Sequence, residues 1–402
     1  MTTTTAPTDP ERESFSPMVM LRRVARGELG SLRVLIGIAV IWTIFQLAND
    51  RFLSAVNLTN LALQIAGVGT ISIGVVLVLL LGENDLSVGA VSGLAAATMA
   101  VLSVKQGLAP ELAILAGLLV GTLIGLFNGF MVTFFGIPSF VVTLAGLLGW
   151  QGAQLAVLGD TGSINLPPST ITDLTGTFFD PAVGWALAAA AIAAYAATLM
   201  LARRRREGAG LSAEPIANTV LRIVLVATAI VATVLILNAD RGVPLAGLIV
   251  VVLTVIFAFI TERTRYGRHI FAVGGNEEAA RRAGIRITRI KVTVFALAST
   301  LAAAGGILAA SRLLSVNQQS GSGDILLLAI AGPVIAGTSL FGGRGIVWSA
   351  LLGAIVIGSI SNGMDLLALE SSVKFMVTGA VLLIAVVIDA LARNRRQATG
   401  RV

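Results

Sequence analysis

The chain has 402 residues, of which 56% are apolar and only 12% are charged. Soluble domains run near 45–50% apolar and about 25% charged, so this composition excludes an ordinary soluble globular protein. The absence of cysteine excludes a disulfide-stabilised secreted scaffold. With 44 glycines and few aromatic residues, the composition predicts an all-α, polytopic transmembrane helical bundle.

In chain order, the sequence predicts a disordered cytoplasmic N-terminal tail over residues 1–30 and a transmembrane domain over 31–392. A cytoplasmic C-terminal tail is predicted over 393–402. A helix that crosses a bilayer needs roughly 20 mostly apolar residues. Several of the predicted helices are interrupted by Gly or Pro and are therefore expected to be discontinuous. Twelve stretches are predicted to span the membrane: 34–48, 58–81, 86–104, 112–135, 138–158, 182–201, 223–237, 244–260, 292–311, 325–342, 346–364 and 375–388.

The distribution of basic residues predicts the orientation. With the N-terminus inside and twelve alternating spans, 23 of the 28 Lys and Arg residues fall on the cytoplasmic side. Cytoplasmic loops are enriched in these residues, so both termini of a multi-pass protein of the cell (inner) membrane are expected in the cytoplasm. Ten or fourteen spans would give the same orientation. The net charge of +7 is therefore interpreted as an orientation signal and not as a nucleic-acid footprint.

The predicted span 112–135 carries glycines at a strict spacing of four, at Gly117, Gly121, Gly125 and Gly129. Such spacing forms one smooth helix face, and in lipid a small face lets another helix approach closely. The pattern predicts a packing groove for a helix of the same chain. A seam between two copies is the alternative.

Ionisable groups are almost absent from the predicted spans, and the turn 82–89 holds Glu83 and Asp85. Asp85 is expected either to cap the following helix or to act in transport. Amides and hydroxyls suit a neutral, hydroxyl-rich solute, although they also bond helices to one another. The candidate residues of a translocation path or gate are Asp85, Ser87, Asn128, Gln151, Asn317, Gln318 and Asn362.

Catalytic chemistry has little support in the sequence. A P-loop needs Lys directly after Gly, and none of the three lysines, Lys105, Lys291 and Lys374, follows Gly. With no Cys and a single histidine, His269, neither a metal site nor a catalytic centre is predicted. Energy for transport, if it is used, is expected from a gradient or from a partner.

The loop 262–291 contains a short helix signature. Asn276 suits the N-cap, Glu277 and Glu278 suit the first turn, and Gly284 suits the position after the helix. A helix this short is marginal alone and needs a docking surface. The alternative is a solvated loop. The small face predicted to let a partner approach closely comprises Ala279, Ala280 and Ala283, and the candidate docking residues are Gly275, Asn276, Glu277, Glu278, Ala279, Ala280, Arg281 and Gly284.

The chain resembles the permease subunits of bacterial ABC sugar importers of the ribose, xylose and arabinose type. An extra block at 160–240, which adds two spans, is most similar to that of D-xylose permeases. Asn84 departs from the family pattern, in which an apolar residue usually stands before Asp-Leu-Ser-Val-Gly. The resemblance is carried by GENDLSVGAVSGL (82–94), GIPSFVVTLAGLLGWQG (136–152), RTRYGRHIFAVGGNEEAARRAGI (263–285), SGSGD (320–324) and GTSLFGGRGIVWSALLGAIVIGSISNGMDLL (337–367).

The resemblance implies import of a neutral monosaccharide, with a pentose such as D-xylose expected, by alternating access. It implies an ABC ATP-binding subunit that docks on 276–284 and carries ATP and Mg²⁺, so that this chain needs no cofactor. It also implies an extracytoplasmic sugar-binding protein and a second permease copy in the lipid membrane. A weak echo between 82–94 and 342–353 favours two related halves. A gradient-driven secondary transporter and a passive facilitator are the alternatives.

Overall fold

A computed structural model describes residues 30–211, 215–381, 383 and 387. Most of these residues are helical, and the strands are two or three residues long. Helix α3 continues from its last residue into a π-helical turn, Val101–Lys105. The helices are α1 (Gly30–Ala48), α2 (Ala55–Leu80), α3 (Val88–Ala100), α4 (Pro110–Phe134), α5 (Ser139–Leu158), α6 (Thr170–Gly176), α7 (Pro181–Gly208), α8 (Ile216–Asn238), α9 (Leu245–Arg263), α10 (Arg265–Gly275), α11 (Glu277–Arg282), α12 (Ile287–Leu313), α13 (Gly323–Ile335), α14 (Trp348–Leu366) and α15, which is described over 371–381.

Four short strands pair at one end of the bundle. Strand β1 (Ser163–Asn165) pairs antiparallel with β4 (Ser315–Asn317), and β2 (Phe178–Phe179) pairs antiparallel with β3 (Val243–Pro244). We call this end the hairpin end. The opposite end carries the basic segment 264–291 and is called the basic end.

The prediction of a polytopic helical bundle is confirmed. Nine helices in the described part of the chain are long and apolar enough to cross a membrane, and α1 and α13 are shorter apolar helices. The predicted tails fall outside the described residues, apart from Gly30, and so does part of the predicted span 375–388.

The predicted span 325–342 is shorter in the structure. Helix α13 has 13 residues and ends at Ile335. At 1.5 Å per residue it covers about 20 Å, less than the roughly 30 Å of a bilayer core. The residues after it turn repeatedly through positive φ, at Gly337, Gly342 and Gly343. Hydropathy missed this ending because the loop is apolar as well.

Helix α12 lies at the centre of the bundle, packed against α2, α3 and α4. The glycine face of α4 makes much of this contact. A Cβ atom built on Gly125 would lie 2.3 Å from the Phe295 carbonyl oxygen, and one on Gly121 would lie 2.6 Å from that of Ser299. Built on Gly129, it would lie 2.7 Å from Val292 Cα. On Gly117, the nearest atom is a carbonyl oxygen of α3 at 2.9 Å. All four contacts lie within one chain.

Helices α3 and α13 both begin inside the bundle. Residues 82–87, which precede α3, run without helical structure beside the first turns of α5. The start of α13 reaches α3, since a Cβ on Gly89 would lie 2.8 Å from the Gly321 carbonyl oxygen and 3.3 Å from Leu326. From this meeting point α3 runs to the hairpin end and α13 to the basic end. The structure thus contains the discontinuous helices that the sequence predicted.

The predicted extra block 160–240 has two structurally different parts. Strand β1 and helix α6 join the core through Ile164 and Ile171. Helices α7 and α8 instead pack mainly on each other, and few of their side chains are buried.

Candidate functional site

The predicted short helix of the basic loop is present as α11, over Glu277–Arg282. Its N-cap is Asn276, whose side-chain oxygen accepts a hydrogen bond from the Ala279 amide at 2.9 Å. Two ion pairs at i,i+4 spacing, Glu277–Arg281 at 3.0 Å and Glu278–Arg282 at 3.2 Å, run along the helix. Acidic groups at the start and basic groups at the end also complement the helix dipole.

The ending of α11 also follows the sequence pattern. Gly284 has φ of +80°, a conformation that other residues rarely adopt. Its amide bonds back to the Arg281 carbonyl at 3.0 Å, and the next amide, of Ile285, bonds to the Ala280 carbonyl at 3.1 Å. These bonds satisfy carbonyls that would otherwise lack partners at the helix end.

One alanine of the predicted small face points inward. Ala280 is only 4% exposed and belongs to the hydrophobic core beneath α11, whereas Ala279 and Ala283 are exposed. The expectation that Ala280 meets a partner is therefore corrected. Because this six-residue helix has small residues on several sides, its sequence pattern does not show which face is buried against the core and which is exposed.

Lys291, near the start of α12, joins α11 to the turn at 82–87. Its ammonium lies 2.8 Å from Glu277 Oε2 and 2.6 Å from Glu83 Oε1. The hydrogen bond that Glu277 accepts from Lys291 is the largest cause that holds the pKa of this carboxyl below its ordinary value. Sequence reasoning missed Lys291 as a site residue. The available signal was that it is the one lysine in a loop of arginines, and a compact ammonium can sit between two carboxylates.

Three segments touch backbone to backbone beside this lysine. The Gly343 amide donates a hydrogen bond to the Leu80 carbonyl at 3.0 Å. A Cβ on Gly274 would lie 1.9 Å from the same carbonyl, and one on Gly342 would lie 2.6 Å from Gly82 Cα. Glycine is required here because no side chain fits. The end of α2 with Gly82, the last two residues of α10 (Gly274 and Gly275) and the loop after α13 thus form one glycine junction.

A cavity of about 590 Å³ lies between α11 and the connection from α4 to α5. Its walls include Glu83, Lys291, Glu277 and Arg281 on one side and Thr133 and Ser139 on the other. The paired charges of the basic end therefore border open space.

Three predicted path residues lie together inside the bundle. Asp85 Oδ1 accepts hydrogen bonds from the Ser87 amide at 2.8 Å and the Ser87 hydroxyl at 2.6 Å. The Asn128 side-chain amide donates to the same hydroxyl at 3.1 Å. Asp85 therefore holds the turn just before α3 but does not cap that helix, whose N-cap residue is Ser87 and whose cap has no side-chain hydrogen bond. The other side-chain oxygens of Asp85 and Asn128 are buried and have no hydrogen-bond partner among the described residues.

The other predicted path residues lie elsewhere. Asn362 is buried and accepts a hydrogen bond from Asn57 at 2.7 Å. Asn317 and Gln318 are at the hairpin end, in and after β4. Gln151 is exposed on α5. The seven candidates therefore do not form one continuous lining within a single chain.

Gln154, which is buried and was not predicted as a path residue, ties α5 to the residues between β4 and the start of α13. Its side-chain amide donates to the Asn317 carbonyl at 3.0 Å and the Ser320 carbonyl at 2.8 Å.

Comparison with known proteins shows the family. Residues 57–386 match the family model described as the permease component of branched-chain amino acid transport systems. The chain belongs to this permease family. The match extends from α2 into α15, so it includes the 82–87 turn, α11 and the glycine junction. No solved structure matches the chain.

Curated relatives confirm the resemblance to sugar permeases. The chain is 34% identical over 363 residues to the xylose transport system permease protein of Haemophilus influenzae, covering 90% of this chain and 96% of the relative. It is 35% identical over 354 residues to the xylose permease protein of Escherichia coli strain K12, covering 88% of each. It is 31% identical over 363 residues to the ribose import permease protein of Bacillus subtilis, covering 90% and 94%. Since these alignments run nearly end to end, the chain is a multi-pass permease of this family.

Proposed function

We propose that this chain is the membrane-spanning permease subunit of an ABC importer for a neutral monosaccharide, D-xylose or another pentose. The observation that carries the proposal is the near full-length similarity to xylose and ribose permeases. The permease moves the sugar by alternating access. ATP and Mg²⁺ bind to a separate ATP-binding subunit, which hydrolyses the nucleotide.

Helix α11 is the docking element for that subunit. It is capped, seated on the core through Ala280, and presents Ala279, Ala283 and the exposed Glu278–Arg282 pair. A rigid helix with small side chains on its open face lets a partner approach closely. The basic end then faces the cytoplasm of the cell together with both termini, in accord with the positive-inside rule.

A second permease copy completes the path. Helix α5 is exposed along much of its length, and Gln151 lies on this open side with Gly149 and Gly152, which have open space around them. An exposed amide midway along an apolar helix is poorly solvated by lipid. A path between two copies gives Gln151 a polar environment, and the extracytoplasmic sugar-binding protein delivers the sugar at the hairpin end.

Reconstitution tests the proposed function. Proteoliposomes that contain the permease, the ATP-binding subunit and the sugar-binding protein are expected to accumulate labelled pentose only when ATP and all three proteins are present. Accumulation without the ATP-binding subunit, abolished by an uncoupler, would show a gradient-driven secondary transporter instead. Equilibration without accumulation would show a facilitator.

A tryptophan substitution tests the docking surface. Ala279→Trp fills the open face of α11 and is expected to prevent co-purification of the ATP-binding subunit while leaving membrane insertion intact. Ala202→Trp, on the exposed surface of α7, is the matched control and leaves co-purification unchanged. Normal co-purification of the Ala279→Trp variant would refute docking on this face.

A further inference from the structure

Both ion pairs of Lys291 connect separate segments, and the one with Glu83 is also the more shielded from solvent, since Glu277 is 41% exposed. The side chains of Lys291 and Glu83 are 11% and 17% exposed, whereas those of Arg282 and Glu278 are 80% and 63% exposed. Exposed pairs are screened by water and salt and contribute little. The Lys291–Glu83 pair therefore contributes more to holding two segments together than the exposed Glu278–Arg282 pair contributes to α11.

The backbone of Lys291 is held in place, whereas its flexible four-carbon side chain can follow its two partners. It lies near the start of α12, the central helix, whose packing against the glycine face of α4 leaves no space for a Cβ atom at Gly125 or Gly121. Its two partners belong to different segments of the chain. Glu277 is the first residue of α11, and Glu83 begins the non-helical segment that enters the bundle.

From Glu83 the contacts continue inward without a break. The Asn84 amide donates to Ser139 Oγ at 3.1 Å, and its carbonyl accepts from Thr143 Oγ1 at 3.3 Å. Asp85 then holds Ser87, to which Asn128 of α4 donates. A shift of Glu83 therefore reaches the N-terminus of α3 through five residues that have no helix of their own to absorb it.

We propose that Lys291 is a positioning residue that transmits displacement of α11 through Glu83 to the N-terminus of α3. This inference rests on the proposed function, because the displacement comes from a docked ATP-binding subunit. The cavity beside α11 leaves room for the movement on the side of Thr133 and Ser139. The glycine junction carries the same displacement to the loop after α13, so both helices that begin inside the bundle are reached.

Glu83→Gln tests the link without leaving a buried charge unpaired, because Lys291 keeps Glu277. The assay is the reconstituted three-protein system, with ATP hydrolysis and sugar uptake measured on the same vesicles. Uptake per ATP hydrolysed is expected to fall about tenfold, within the range usual for coupling between sites. Co-purification and ATP hydrolysis are expected to hold within about twofold, because neither requires the link. Glu207→Gln is the matched control. It breaks the partly exposed 2.8 Å pair with Arg203 on α7, and is expected to leave uptake per ATP unchanged.

Variants at Lys291 separate transmission from general stability. Lys291→Arg keeps the charge and is expected to keep most of the uptake per ATP, whereas Lys291→Gln loses as much as Glu83→Gln. The double variant is expected to lose no more uptake per ATP than either single variant, because both substitutions remove the same interaction and their effects are then not additive. Unchanged uptake per ATP in Glu83→Gln, or additive losses in the double variant, would overturn the proposal. Absence of ATP-dependent uptake by the wild-type complex would instead refute the proposed function.

Discussion

The contact between α4 and α12 makes Gly125 the most sensitive glycine of the α4 face. A Cβ atom there would lie 2.3 Å from the Phe295 oxygen, 2.8 Å from its carbonyl carbon and 2.7 Å from Ala296 Cα. All three are backbone atoms, so no change of rotamer relieves the overlap and the helices must separate. Overpacking of this kind costs about 1–3 kcal/mol, and Ala regains up to about 1 kcal/mol in helix propensity. With backbone on every side, we expect the upper end of that cost and a net loss of about 2 kcal/mol for Gly125→Ala.

Thermal unfolding in detergent, followed by size-exclusion chromatography of the heated samples, measures this loss. Gly149→Ala is the matched control, because that helical glycine has no other atoms within 4 Å of a built Cβ. Its melting temperature is expected to equal or exceed that of the wild type. Gly117→Ala, whose nearest contact is 2.9 Å, is expected to lose less than Gly125→Ala. Equal stability of the Gly125 and Gly149 variants would refute the packing argument.

Three further predictions concern the basic end, the orientation and the buried polar cluster. The pKa of Glu277 is held below its ordinary value in the folded protein. The stabilisation from this carboxylate is therefore present above its unfolded-state pKa and is lost as pH falls through its folded-state pKa. Hydrogen-exchange protection of α11 is therefore expected to stay constant across the neutral range and to fall only in acid. The chain has no cysteine, so Glu278→Cys and Asp160→Cys report orientation directly. A membrane-impermeant maleimide is expected to label the first only from the cytoplasmic side and the second only from outside, and the reverse pattern would overturn the orientation. Ser87→Ala leaves the buried Asn128 amide without its acceptor and is expected to lower the free energy of unfolding by about 1–3 kcal/mol, measured by thermal unfolding.

Local features were the ones that the sequence predicted well. The span predicted over 58–81 is helix α2, Ala55–Leu80. It could be predicted because an apolar stretch of this length is a membrane-spanning helix whichever neighbours it packs against. The helix in the basic loop was predicted because Asn276 and Gly284 act on backbone groups only a few residues away.

Contacts between distant segments could not be predicted in the same way. Nothing near Lys291 in the sequence indicates that Glu83 approaches it, since that pairing depends on how α2 and α12 pack. The position of Asn362 beside Asn57 likewise follows from the packing of α14 on α2. An amide in an apolar helix has the same appearance in sequence whether it bonds a neighbouring helix or lines a path. This is why the seven path candidates fall into separate groups.

The α7–α8 hairpin is separable from the core, and a deletion tests this. Strands β2 and β3 flank the hairpin, and Phe179 pairs directly with Val243. Replacing 180–242 by Asn-Gly therefore joins two neighbouring antiparallel strands with a favoured two-residue turn. Because two spans are removed, α9 keeps its orientation. The shortened chain is expected to insert and to elute as a single species.

The comparison variant removes 163–176, which is much shorter but contributes Ile164 and Ile171 to the core. It is expected to aggregate, because burial and not length decides how much free energy a segment contributes. Aggregation of the 180–242 deletion with normal behaviour of the 163–176 deletion would contradict this assignment. The hairpin carries Arg203–Arg206 toward the basic end but holds neither the glycine junction nor Lys291. Coupling between ATP hydrolysis and sugar uptake is therefore expected to survive its removal.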